Sequence, residues 1–454
     1  MSTIMDKKLL PFALQDVPRY TSYPTAVQFQ PDFPGTTADQ WLTRLSPEAS
    51  LSVYVHIPFC RQLCWYCGCH TSVPNSYDRA ARYVEHLIRD IERSAGLLNG
   101  RKGRVKHFHF GGGTPTYLDD MHIAEILAAV DKGFGLASGA EVALESDPRT
   151  LTRERARVLS GLGFNRISFG VQDFATPVQM KINRLQTYGL VASATEFLRA
   201  AGFKAVNFDL MYGLPAQTVE SVARTARQAA ELQPDRIAVF GYAHVPWFKK
   251  HQKMIDEAEL PGVAERYHQA VTIEEELCGA GYAAIGLDHF ALPHDELTIA
   301  AGNRALRRNF QGYTTDVADA LLSFGASAIG EFPQGFVQSA RDTLQWSEAI
   351  ARGESPVTRG LSITEEDRMR AEIIERLMCD LSVDYAKVAA RHGFGLEGFA
   401  DVPERLRPAI AAGLATLDGT RVAVVPRHRL FLRTVATVFD THFVSVPNRH
   451  AKAV

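Results

Sequence analysis

Cysteine is scarce in this chain outside one short run: of six, only Cys278 and Cys379 lie elsewhere. A basic excess is missing too, since 49 Lys and Arg against 51 Asp and Glu leave a formal charge of -2, which argues against a nucleic-acid binder. No uninterrupted apolar stretch approaches the roughly 20 residues that a bilayer crossing needs. The opening Met1-Ser-Thr-Ile-Met-Asp-Lys-Lys8 lacks the apolar core of an export signal. The expectation is therefore a cytoplasmic protein without a membrane partner. Low-complexity tracts and fixed-period repeats are absent, which leaves an ordinary globular chain. Its 454 residues, 46% hydrophobic, suggest roughly two to four domains and a core that needs no disulfide staples.

What is present is concentrated. Cys60, Cys64, Cys67 and Cys69 fall within ten residues, in the run Tyr54-Val-His-Ile-Pro-Phe-Cys60-Arg-Gln-Leu-Cys64-Trp-Tyr-Cys67-Gly-Cys69. Three thiolates spaced by four and three residues can wrap one loop around one metal centre. Structural zinc is one reading, but zinc sites usually pair two separated knuckles and no second Cys-x2-Cys or His-x3-His follows. A disulfide framework is another, and a chain this long does not require one. An iron–sulfur cluster is the third. Held by three cysteines, a [4Fe–4S] cluster leaves one iron open to a substrate or cofactor. Cys-x3-Cys-x2-Cys after the strand-like Leu51–His56, with aromatic Tyr66 before the third cysteine, resembles the signature of the radical S-adenosylmethionine (SAM) enzymes. There, SAM chelates the open iron and yields a hydrogen-abstracting radical, chemistry that the cofactor carries and the protein aims.

From about residue 50 to about 330, β-rich runs alternate with amphipathic segments. Candidate strands are Leu51–His56, Val105–Phe110, Glu141–Glu145, Arg166–Gly170, Ala205–Met211, Arg236–Tyr242 and Tyr282–Leu287. Candidate helices are Tyr77–Leu98, Met121–Phe134, Arg153–Leu162, Thr187–Ala201, Thr218–Leu232 and Ala264–Ala280. Strand, crossover helix and strand in repetition predict a parallel sheet with helices outside. About six units fit an open, partial (β/α)6 barrel rather than a closed eightfold one. After Gln345 the chain reads as helical over Ile363–Ala390 and Pro403–Leu417, with a β-like Arg421–Val425, a small helical domain with a wing. The expected domains are an N-terminal substrate-covering extension over 1–50, a radical SAM catalytic barrel over 51–345 and a C-terminal helical domain over 346–454.

Active sites of β/α barrels gather at the C-terminal ends of strands. Gly111-Gly-Gly-Thr-Pro115 follows the second strand, and its glycines let backbone approach a ligand closely. Later strand ends carry Glu145-Ser-Asp147-Pro-Arg149, Ser168-Phe-Gly-Val-Gln172-Asp173, Ile182-Asn-Arg184, Asn207-Phe-Asp209 and Phe240-Gly-Tyr-Ala243-His244. Each singly fits a capped turn or a surface ion pair. Together they place Glu, Gln, Arg and Asp around one cavity.

Over nearly its whole length the sequence resembles the oxygen-independent coproporphyrinogen III oxidases. The resemblance rests on Pro18-Arg-Tyr-Thr-Ser-Tyr-Pro24, Tyr54-Val-His-Ile-Pro-Phe-Cys60, Cys67-Gly-Cys69, Gly111-Gly-Gly-Thr-Pro-Thr-Tyr117, Gly170-Val-Gln-Asp-Phe174, Tyr212-Gly-Leu-Pro215, Asp288-His-Phe290 and Asn309-Phe-Gln-Gly-Tyr-Thr-Thr315. Carried over, it implies that Cys60, Cys64 and Cys67 ligate the cluster while Tyr54, Gly112, Glu145 and Ile329 contact SAM. It implies a second SAM at Tyr66, Gly113, Thr114, Gln172, Arg184, Asp209 and Ala243, with Cys69 as a catalytic cysteine that is not a ligand. The implied reaction converts two propionates of coproporphyrinogen III to vinyls, with a low-potential electron donor and a terminal acceptor as partners and a monomer as the working form. Cations that meet the substrate carboxylates are expected at Arg19, Arg307 and Arg308. Ser146 and Gly241 depart from residues common in the family. The rival readings are a haem-binding chaperone descended from the same enzymes, and a radical SAM methyltransferase or haem-degrading relative.

Overall fold

A computed structural model describes residues 5–98, 102–444 and 452–454. The chain forms two compact units, one of Phe29–Asp209 and Asp316–Ser362, the other of Met1–Gln28, Leu210–Thr315 and Ile363–Val454.

The first unit carries the cysteine run. Its strands β1 (Leu51–Ile57), β2 (Val105–Gly112), β3 (Leu136–Ser146) and β4 (Arg166–Gln172) pair in that order, all parallel. The strand β5 (Ala205–Tyr212) follows β4 in the sheet. Parallel strands are covered on both faces, and β1 accordingly buries residues on both. Helices Asp78–Leu97, Asp120–Phe134, Arg153–Gly161 and Tyr188–Ala200 make the crossovers. Several start where the sequence supplies a cap: Asp119 accepts from His122 N, Thr152 from Arg155 N and Thr187 from Leu190 N. The sheet also grows on the other side of β1. Ala320–Phe324 runs parallel to β1, and Ile329–Phe332, Gly335–Ser339, Val357–Ser362 and Gln30–Pro31 continue antiparallel beyond it. Behind β1, the Tyr83 hydroxyl donates to His56 O at 2.9 Å and accepts from Ala326 N at 2.9 Å. Its ring packs edge-on to Phe59 and 4.6 Å from Trp346, so the residue before Cys60 is anchored in core.

The second unit is largely helical. Val219–Glu231 is closed by a capping box between Thr218 and Ser221, and Glu365–Asp380 by one between Thr364 and Asp367. Met5, Leu9 and Ala13 join Ile373, Leu377, Phe431, Phe439 and Val454 in one apolar core, so the N-terminal segment packs with the C-terminal helices. The strand expected at Tyr282–Leu287 is only Ala283–Ile285. It turns at Gly286 into His289–Ala291, which lies antiparallel to Arg236–Gly241, the strand β6. The helix expected over Ile363–Ala390 is broken: Leu381 adopts φ 55°, and the chain forms Ser382–Asp384 before a second helix, Tyr385–Arg391. The next helix, Val402–Ala411, stops short of Leu417, because Ala415–Asp418 pairs with Arg421–Val424 to build the wing. Among the described residues no helix is long and apolar enough to cross a membrane.

Candidate active site

Period two along β1 puts Tyr54 and His56 on the same face of the sheet. The Tyr54 hydroxyl lies 3.0 Å from His56 Nδ1, and His56 Nε2 lies 2.9 Å from the carbonyl oxygen of His70. Burial pushes His56 down to about 4, so at neutral pH the ring is uncharged. One assignment satisfies both contacts: Nδ1 accepts from Tyr54 and Nε2–H donates to His70. The cysteine loop is closed again at its base, where Cys60 N donates to Ser72 O at 3.0 Å and Ser72 N to Pro58 O at 2.8 Å.

None of the six cysteines is disulfide-bonded, so no disulfide framework exists. Cys60 Sγ lies 3.1 Å from Thr71 Oγ1 and 3.4 Å from Thr114 Oγ1. Burial pushes the Cys60 thiol up, and these hydroxyls oppose that rise, as donors to a thiolate do. Arg184 Nη1 lies 3.5 Å from Cys64 Sγ. Hydroxyl and guanidinium donors around sulfur are what an anionic thiolate-bound cluster requires of its surroundings. The donor set fits a [4Fe–4S] cluster. Cys69 is exposed, and the adjoining Cys67 raises its thiol well above the ordinary range.

The glycine turn wraps the same loop. Gly113 N donates to Ile57 O and Thr114 N to Phe59 O, both at 2.8 Å. Gly112 has φ 113°, and a Cβ there would fall 2.5 Å from the His56 ring. A Cβ on Gly113 would meet Phe59 backbone and Thr71 at 2.8–2.9 Å. From β3, Glu145 accepts from Gly112 N at 3.1 Å and faces His109 Nε2 at 3.5 Å. His109 in turn stacks on Tyr54.

Arg184 ties the next two strand ends to the cysteines. Its Nη2 and Nε donate to Gly170 O at 2.6 and 3.2 Å, and its Nη1 lies 3.6 Å from Asp147, which Arg149 also grips. Burial opposes the charge of Arg184, but Tyr66, Asp147 and Cys64 outweigh it and hold the guanidinium protonated. Gln172 ends β4 with φ 66°, a conformation rare for a residue with a side chain, in the same bend that exposes the Gly170 carbonyl to Arg184. Asp209 on β5 is raised to about 7, first by burial and then by Glu145, with Arg184 opposing.

The structure therefore gathers Tyr54, Tyr66, Gly112, Gly113, Thr114, Glu145, Gln172, Arg184 and Asp209 with the four cysteines in one unit. Ile329 stands on that unit's sheet; counting from the Leu321–Glu331 pair, it is level with Ser323, the register partner of Tyr54. Ala243, Arg19 and Arg308 lie in the other unit and line a cavity there. Arg307 is held elsewhere, its Nη1 2.7 Å from Glu375. His56, Thr71, His109 and Asp147 join the site through contacts that no motif in the sequence marks. The same-face spacing of Tyr54 with His56 was a usable signal for the first of these.

Residues 54–229 match the radical SAM superfamily, and residues 363–431 match the HemN C-terminal domain. The chain is 47% identical to an oxygen-independent coproporphyrinogen III oxidase of Bradyrhizobium diazoefficiens, covering 96% of this chain and 97% of that protein. It is 38% identical to the enzyme of the same name from Escherichia coli, over 94% and 93% of the two chains. The solved structure of coproporphyrinogen III oxidase (HemN) from Escherichia coli, described as a radical SAM enzyme, superposes with a TM-score of 0.89 at 37% identity, covering 94% of this chain and all of that one. The expected fold class, an open partial barrel of the radical SAM type with a mainly helical C-terminal part, is the one found.

Proposed function

The chain belongs to the oxygen-independent coproporphyrinogen III oxidase family, and from that premise we infer that it converts coproporphyrinogen III to protoporphyrinogen IX. Two propionate side chains each lose a β-hydrogen and CO2 and become vinyls, a step of haem biosynthesis. A low-potential donor supplies the initiating electron, and a terminal acceptor takes the one left on the substrate. The enzyme works as a cytoplasmic monomer. The observation that carries the reading is the loop Cys60–Cys69, whose Cys60 sulfur is met by Thr71 and Thr114 and whose Cys64 sulfur is met by Arg184, inside a radical SAM fold.

Cys60, Cys64 and Cys67 hold the [4Fe–4S] cluster; Tyr54, Gly112, Glu145 and Ile329 contact SAM. A second SAM is taken by Tyr66, Gly113, Thr114, Gln172, Arg184 and Asp209, all of one unit. When bound, cluster and SAM supply the one-electron chemistry that removes an unactivated hydrogen. The chain's own residues do the positioning. Arg184, charged and fixed to the Gly170 carbonyl, offers a cation beside Cys64 for a carboxylate. Asp209, titrating near neutrality, can donate or accept a hydrogen bond there. Glu145 is oriented by Gly112 N, and its second oxygen faces His109. Cys69, set apart from the three ligands, acts on the reacting substrate.

The test is turnover of coproporphyrinogen III by anaerobically reconstituted protein with SAM and reductant. Vinyl-bearing porphyrinogen is the expected product. SAM cleavage without it contradicts the reading, and stoichiometric haem binding without turnover would mark a chaperone instead.

A further inference from the structure

The unit that holds the C-terminal helices contains a cavity of about 600 Å³. That lies within the range of about 300–1,000 Å³ usual for small-molecule sites. Tyr212, Tyr242 and Trp247 give it aromatic wall, and Arg19, Arg266, Arg308 and Arg433 all reach it. Two of these cations are engaged by the protein. Arg308 donates to Tyr20 O at 3.2 Å, lies over the Tyr313 ring at 4.4 Å and stands 3.9 Å from Asp288. Arg433 donates to the carbonyls of Val17, Lys452 and Ala453 at 3.2, 2.7 and 2.9 Å. Asp288 is itself held by His289 at 2.7 Å.

Arg266 differs. Its guanidinium makes no ion pair with any described residue and sits over the Tyr212 ring at 5.5 Å. Burial lowers its pKa, so the protein has taken a cation partly out of water without giving it a counter-charge. The backbone around it is shaped to admit it. Gly213, with φ 80°, would place a Cβ 2.2 Å from Arg266 Nη1; Gly241 would place one 3.2 Å from Nη2 and 2.8 Å from the Tyr212 hydroxyl. Gly241 thus leaves the room that the Tyr212–Arg266 pair occupies.

We propose that Arg266 binds a carboxylate of the tetrapyrrole substrate in this cavity, with Arg19 as a second cation open to the same ligand, and that Gly213 and Gly241 exist to let Arg266 reach it. The inference rests on the substrate reading above, which supplies a ligand with four carboxylates. A planar guanidinium meets a carboxylate through two parallel hydrogen bonds, and an aromatic ring beneath it keeps the fork flat.

The test is titration of anaerobically reconstituted protein with coproporphyrin III, the oxidised and unreactive form of the substrate, followed by porphyrin fluorescence. Its tetramethyl ester, which has no charge for Arg266 to meet, is the control ligand. Arg266→Gln should weaken coproporphyrin III roughly 10- to 100-fold, the worth of a charge-assisted hydrogen bond. It should leave ester binding and cluster absorption as in wild type. Arg266→Lys should recover part of the loss. Gly241→Ala, with Arg266 intact, should also weaken the acid and not the ester; it decides the matter if the glutamine variant loses its cluster. A cluster-loaded Arg266→Gln protein that binds the acid as wild type does, or loses the ester equally, overturns the inference while wild-type turnover leaves the reading beneath it standing. Wild-type protein that neither binds nor converts the tetrapyrrole overturns both.

Discussion

The imidazole of His56 hydrogen-bonds to the carbonyl oxygen of His70 across 2.9 Å, joining a buried strand to the residue directly after Cys69. Its other nitrogen takes the Tyr54 hydroxyl at 3.0 Å. Replacement by phenylalanine keeps the ring and removes both bonds. His56→Phe should therefore lower the stability of the reconstituted protein by about 2–3 kcal/mol, because two partly buried polar groups lose their partner. Anaerobic chemical denaturation measures this. Wild-type stability would show that the ring packs but does not tether the loop.

The cysteines divide into three ligands and one other. Cys60→Ser, Cys64→Ser and Cys67→Ser should each abolish cluster absorption, while Cys69→Ser should keep iron near four per chain and lose turnover. Iron analysis after reconstitution reads the difference. Loss of iron from the Cys69 variant would end that division.

Gly112 has φ 113°, and a Cβ would stand 2.5 Å from the His56 ring. Gly112→Ala should displace that ring and the backbone N–H that Glu145 accepts, with SAM affinity falling while the three ligand thiols still load the cluster. Equilibrium binding of SAM to cluster-loaded variant and wild type compares them. Equal affinity would show that the close approach is not needed for SAM.

Asp90, buried in the helix Asp78–Leu97, is raised to about 7 from 3.8 by burial, with Arg93 opposing. Such a carboxyl binds more protons folded than unfolded between those values, so its contribution to stability is full below about 3.8 and is lost as pH rises towards 7. Asp90→Asn removes this dependence. The advantage of the variant over wild type should grow by roughly 2 kcal/mol between about pH 5.5 and 8. Denaturation at the two pH values checks it, and an advantage that shrinks with rising pH would reverse the sign of the account.

The strands from Leu51 to Tyr212 were legible because buried parallel strands are apolar runs bounded by capped helices. The antiparallel pairing of Ala283–Ile285 was not legible, since an antiparallel pair and a parallel strand share the same apolar composition; Gly286, at the turn, is its one sequence signal. The helix break at Leu381 had no signal at all. A left-handed residue at a helix end is normally glycine, and here tertiary packing places a leucine there. The cysteine loop, the glycine turn and Glu145 were readable from motif and strand-end position. Arg266 was not, because it lies in the first turn of a helix where a lone arginine looks like surface charge. Arg307 and Arg308 were both expected to meet substrate. Neighbours on a strand point to opposite faces, and the structure gives Arg308 to the cavity and Arg307 to Glu375.

The most direct test of the central claim is the fate of one hydrogen. Coproporphyrinogen III carrying deuterium at the β-position of its propionates, incubated anaerobically with the reconstituted protein, SAM and reductant, should give vinyl product with one deuterium delivered to 5′-deoxyadenosine for each CO2 released. Vinyl groups formed without deuterium in 5′-deoxyadenosine, or labelled 5′-deoxyadenosine without CO2, would contradict it.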